Sequence, residues 1–211
     1  MSLLKKVEDI EIALGKYSEI FNVLSADLKE ASELLHSGIN NFRLRTYIRT
    51  QFAWIEGTLF GLKQVALTMH EHEPCFSDGE LTLLREVTYE LSDGGNVRER
   101  PKYLDTADNI KFIVKSVTKV FSLPDISFDG EGWQCFKELI RLRNQITHPK
   151  DAFSLRIIES DSLVTEGKTD LGGKADIFVK AVDWYRELLV RLVSSMGSAI
   201  KKKYVSPMKE K

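Results

Sequence analysis

Glu138-Leu139-Ile140-Arg141-Leu142-Arg143-Asn144-Gln145-Ile146-Thr147-His148-Pro149 sets a histidine, an arginine and an amide inside a strongly helical apolar pattern. Two rows run down this segment. One is Cys135, Leu139, Leu142 and Ile146; the other is Trp133, Phe136 and Ile140, continued by Arg143 and Thr147. Both keep the three-and-four spacing of a helix face, so Arg143 falls where its row asks for an apolar side chain. Asn144 and His148, four apart, lie one turn from each other. Pro149 stops the helix, because the residue before a proline is pushed out of the α region. His148 therefore belongs at the helix's carboxyl end.

The same spacing recurs on both sides of this stretch. Leu3, Val7, Ile10, Leu14, Tyr17, Phe21, Leu24, Leu28, Ala31 and Leu35 alternate steps of four and three, a seam of about five heptads and roughly 50 Å of helix. Two readings of that seam stand: a dimerising coiled coil, or one arm of a long antiparallel hairpin within the subunit. Gly38 marks its end. A second helix from about Asn40 to His70 has Ile48, Phe52, Ile55, Leu59, Leu62, Ala66 and Met69 as its stripe. Beside it Ala53, Gly57 and Gly61 repeat every four residues. Glycine costs about 1 kcal/mol within a helix, so this row predicts a close backbone neighbour, either the Arg143 helix or a second subunit. Arg49 and Glu56 share a side of this helix as a potential polar pair, and Arg43, Arg45 and Arg49 read as a solvated face.

His70-Glu71-His72 is not a metal motif. Histidines two apart diverge on a helix, and neither His-Glu-x-x-His nor Cys-x-x-Cys is present. Ser77 and Glu80 form a capping box for a short helix to about Leu91, followed by a turn at Asp93-Gly94-Gly95-Asn96. Arg98, Arg100 and Lys102 then fall in an irregular stretch, read as a solvated loop. Thr106 caps a fourth helix with Ile110, Val114, Val117 and Phe121 inward, and Asp129 or Gly130 opens the Arg143 helix. Past Pro149, the runs Leu155–Ile158 and Leu163–Thr165 flank a polar turn, as a small β-hairpin near 155–165 or a loop. The last helix starts near Gly173 to Asp176 and ends at Lys201-Lys202-Lys203, whose charge suits a helix carboxyl end. The expectation is an all-α, single up-and-down antiparallel bundle of about six helices, one domain over residues 1–211.

Composition narrows the function. The chain has 211 residues, 43% hydrophobic and 29% charged, which is ordinary for a globular protein with its own core. A formal net charge of −1 supplies no global basic field, so any RNA contact must use a local patch. Cys75 and Cys135 are too few for a disulfide framework. No apolar run is long enough for a membrane span and no signal-peptide core opens the chain, so a reduced, cytoplasmic protein is expected.

Arg143-Asn144-Gln145-Ile146-Thr147-His148 resembles the Arg-Asn, three residues, His signature of the HEPN superfamily (higher eukaryotes and prokaryotes nucleotide-binding). The motif covers about a dozen residues; the helical architecture it accompanies covers most of the chain. The resemblance implies a helical bundle, a homodimer, and a metal-independent endoribonuclease of toxin–antitoxin or antiphage systems, paired with a separate antitoxin protein. Many members of the family instead act as non-catalytic scaffolds for a protein, nucleotide or RNA. No cofactor is implied. Lys150 stands where one subgroup carries a tyrosine two residues past the histidine, so that subgroup's tyrosine switch does not carry over.

Residues five apart diverge by about 140° around a helix, so Arg143 and His148 do not share a face. The resemblance implies that two copies related by a two-fold axis converge them on one cleft. In that reading His148 moves the proton of a ribose 2′-hydroxyl, Arg143 holds the phosphate oxygens, and Asn144 orients His148.

Overall fold

The computed structural model describes residues 3–94, 96–151, 155, 157 and 173–206. Among them are six α-helices and one two-stranded antiparallel sheet: α1 Leu3–His36, α2 Asn41–His72, α3 Asp78–Leu84, β1 Val87–Leu91, β2 Val97–Pro101, α4 Thr106–Phe121, α5 Glu131–Thr147 and α6 Gly173–Ile200. The all-helical expectation holds, and the Arg143 helix is the fifth. The residues fall into two compact units. The first is built from Met1–Tyr17, Leu59–Ile126 and Leu192–Lys211, the second from Ser18–Thr58 and Ser127–Arg191.

In the first unit the apolar rows of α2, α4 and α6 make the core. Leu62, Ala66, Met69, Ile110, Ile113, Val117, Leu192 and Met196 are buried. The start of α1 runs antiparallel to the end of α2, with Tyr17 beside Gly61 and Asp9 Oδ2 3.4 Å from His72 Nε2. Ser77 and Glu80 form the expected capping box on α3. That helix ends at Leu84 rather than near Leu91, and Glu86, at φ 55°, turns the chain into β1. Val87 pairs with Pro101 and Leu91 with Val97. The sheet thus occupies residues read from the sequence as helix end and loop. The signal was Val-Thr-Tyr β-propensity next to an Asp-Gly turn. The hairpin expected near 155–165 falls almost wholly outside the described residues. The cap of α4 is Asp105 rather than Thr106: its Oδ1 accepts the Asp108 N–H at 2.9 Å. The α6 helix runs into a π-helical turn over Lys201–Val205.

In the second unit the later half of α1 lies against α2. A Cβ on Gly57 would collide with Leu24, and Trp54 Nε1 donates to Ser25 Oγ at 3.0 Å. The small-residue row does mark a close approach, but the neighbour is α1 of the same chain rather than α5 or a second subunit. Side chains of α1, not a backbone, fill the space the missing Cβ atoms leave. From Val7 to Leu35 the α1 seam is accordingly half-buried or buried, as in the intrachain reading.

Candidate functional site

Helix α5 is positioned by an aromatic cluster. Trp133 and Phe136 are buried, and their ring centroids lie 5.1 and 5.2 Å from that of Trp184 on α6; Tyr185 stacks on Phe136 at 5.5 Å. Aromatic pairs at such spacings add to the area they bury. Gly132 lets α6 approach: a Cβ there would sit 2.7 Å from Trp184 Cβ. Lys180 Nζ donates to Glu131 Oε1 at 2.7 Å on the outside.

This packing fixes the row that ends in Arg143. Its guanidinium lies 5.5 Å from the Phe52 ring centroid, Nη2 donates to Glu56 Oε1 at 2.7 Å, and Nη1 donates to Asn144 Oδ1 at 3.1 Å. The polar residue on an apolar row is explained by that geometry. The guanidinium lies near an aromatic ring while its donors reach a carboxylate at the protein's edge. Phe52 and Glu56 are four apart on α2, a spacing visible in the sequence, but only the fold shows that they meet Arg143. The expected Arg49–Glu56 pair does not form; each reaches α5 separately.

Arg49 Nη2 donates to the Ile146 carbonyl at 3.0 Å. That carbonyl is one of the last four of α5, which have no partner within the helix, so Arg49 caps the turn that carries His148. The chain beyond Pro149 is drawn to the same part of α2. Arg45 Nη1 donates to the Leu155 carbonyl at 2.8 Å, and the buried Asn41 Oδ1 accepts the Ile157 N–H at 2.6 Å. Arg45 and Arg49, read earlier as a solvated face, therefore brace the end of α5 and the segment after it.

His148 is the carboxyl cap of α5, as the sequence implies. Its N–H donates to the Asn144 carbonyl at 2.9 Å, its backbone leaves the helix at φ −124° and ψ 65°, and it is exposed. Its ring makes no hydrogen bond among the described residues. Asn144 is expected to orient His148, yet its Oδ1 accepts from Arg143 instead. Within one chain, then, Arg143 and Asn144 are joined, while His148 stands apart at the helix end, two residues beyond the Ile146 carbonyl that Arg49 caps.

The His70–Cys75 region is a structural corner. His70 Nδ1 accepts the N–H groups of Cys75 and Phe76 at 3.0 and 3.1 Å, which terminates α2. No helix among the described residues is long and apolar enough to cross a membrane. No protein-family model matches the chain, and neither a curated protein nor a solved structure matches it.

Proposed function

We propose that this chain is a HEPN-like, metal-independent endoribonuclease that acts in the cytoplasm as a homodimer, a toxin or antiphage effector restrained by a separate antitoxin. The observation that supports it is the state of the α5 carboxyl end. The exposed His148 ring has no partner among the described residues, and Arg49 donates to the Ile146 carbonyl two residues before it. An arginine held at that helix end offers a phosphate contact on a chain with no global basic charge.

The chemistry follows from the residue types. Neutral His148 accepts the proton of a ribose 2′-hydroxyl; that oxygen attacks the adjacent phosphorus, and the bond to the 5′-oxygen breaks as that oxygen takes up a proton from water. The products are a 2′,3′-cyclic phosphate and a 5′-hydroxyl end. Arg143 stabilises the charge that builds on the phosphoryl oxygens. Because Arg143 and His148 diverge around the helix, two protomers with their α5 ends at the two-fold axis supply one cleft. The salt bridge to Glu56 is half-exposed and weak in such settings, so a phosphate can displace it.

A non-catalytic scaffold is the second reading, and the Arg143–Glu56 pair favours it. A guanidinium already bonded to a carboxylate and an amide, and set beside Phe52, serves packing without any ligand. Incubating purified protein with mixed cellular RNA in excess chelator separates the two. The nuclease reading expects cleavage with cyclic-phosphate ends, from a species whose light-scattering mass is twice that of the chain. Retained RNA without new ends, from a monomer, would leave the scaffold.

A further inference from the structure

The second unit holds another concavity, none of whose lining residues belongs to α5. It is a groove of about 700 Å³ between α1, α2 and α6, within the range of small-molecule sites. Its apolar walls include Phe21, Trp54, Leu189 and Val190. Trp54 is buried and fixed by its bond to Ser25, with the Phe21 ring centroid 6.0 Å from its own. Val190 stays 67% exposed at the groove. A flat ring against these walls would cover apolar surface that the chain leaves in water.

The polar groups are few and unevenly committed. Lys29 is offset by Glu33 at 3.8 Å, and His36 Nδ1 lies 2.7 Å from the Ser32 carbonyl. Two donors remain without a hydrogen bond or ion pair among the described residues: the Tyr47 hydroxyl and the Arg186 guanidinium. They are near each other. Burial raises the Tyr47 pKa, Arg186 lowers it and Asp183 raises it. The phenol thus keeps its proton at neutral pH and donates. A guanidinium fork matches the two oxygens of a carboxylate, and the phenol adds a third donor. Arg186 can pair with one negative group, and with the Asp183 carboxylate also near the phenol a phosphate dianion would meet too little positive charge.

We propose that this groove binds an aromatic carboxylic acid, its carboxylate on Arg186 and Tyr47 and its ring against Phe21, Trp54 and Val190. This site does not depend on the nuclease reading.

The test is a ligand-observed NMR titration of the full chain with 2-naphthoate, beside the neutral 2-naphthamide. Wild type should bind the acid saturably and at least tenfold more tightly than the amide. Arg186→Gln should lose about 10- to 100-fold in affinity for the acid, the usual effect of removing a charged hydrogen bond. It should leave amide binding unchanged, and Arg186→Lys should recover part of the loss. Tyr47→Phe should weaken the acid a few-fold. Circular dichroism on each variant guards against misfolding. Equal affinity for acid and amide, or no change in Arg186→Gln, would overturn the proposal. So would the absence of saturable binding by wild type. Self-association that Val190→Glu abolishes would also overturn it, making the groove a contact between copies of this chain.

Discussion

Two charged clusters in this chain use similar residues to opposite ends. In the first unit Glu80 accepts from Lys119 at 2.8 and 2.9 Å, from the Ser77 N–H at 2.8 Å and from Ser77 Oγ at 3.0 Å. The Lys119 bond first, and the Ser77 backbone next, hold its carboxyl down at about 2. Glu73 is likewise gripped by Lys203 and by the Tyr204 hydroxyl, and its pKa is lowered while that of Lys203 is raised. At the end of α5, by contrast, Arg143 meets one carboxylate oxygen and one amide, Arg49 a single carbonyl, and the His148 ring no described partner. Saturated clusters are locked into the fold. A cluster with donors to spare can exchange a weak internal partner for a ligand's phosphate.

That contrast can be broken first at Arg143. On the proposed nuclease reading, Arg143→Ala should lower RNA cleavage by 100-fold or more, the effect of removing a donor that stabilises transition-state charge. Its stability cost should be only about 1 kcal/mol, from the lost contact with Phe52 and an exposed ion pair. A large loss of stability with intact cleavage would reverse the roles of the two clusters. Gly132→Ala comes next. Its Cβ would press on Trp184, and overpacking of this kind costs about 1–3 kcal/mol. The melting temperature should fall, and an unchanged value would mean α5 is not held as tightly as its aromatic contacts imply.

The smallest effect belongs to Glu80. Its pKa is lowered in the folded chain, so its contribution to stability is complete above the ordinary value of 4.5 and is lost as pH falls toward 2. Glu80→Gln should cost about 1 kcal/mol at neutral pH, the usual worth of a cap and an exposed ion pair. It should also flatten the acid limb of a denaturation series between those two values. A mutant that tracks wild type through that window would show the cluster to be dispensable.

The helices were legible because each buries one stripe, and a stripe imposes its period on the sequence. The Arg143–His148 segment was legible for the same reason, since a polar residue interrupting a row stands out. What binds Arg143 was not, because Glu56 and Phe52 lie some ninety residues away in sequence and only packing selects them. The small-residue row told that something approaches α2 closely, but Gly57 and Gly61 say nothing of what. The β1–β2 hairpin was hidden by the strong capping box at Ser77, which announces a helix start and carries no information about its end. The sign that α3 stops is the left-handed Glu86, a residue type with no preference for that conformation.

The most direct measurement sets wild type beside His148→Ala on the same RNA in chelator, with a melting curve for each. His148 is exposed at a helix end, so its loss should leave the melting temperature within about one or two degrees. If His148 carries the proton as proposed, its removal should nevertheless lower cleavage by about 100- to 10,000-fold. Equal cleavage by the two proteins would contradict the account.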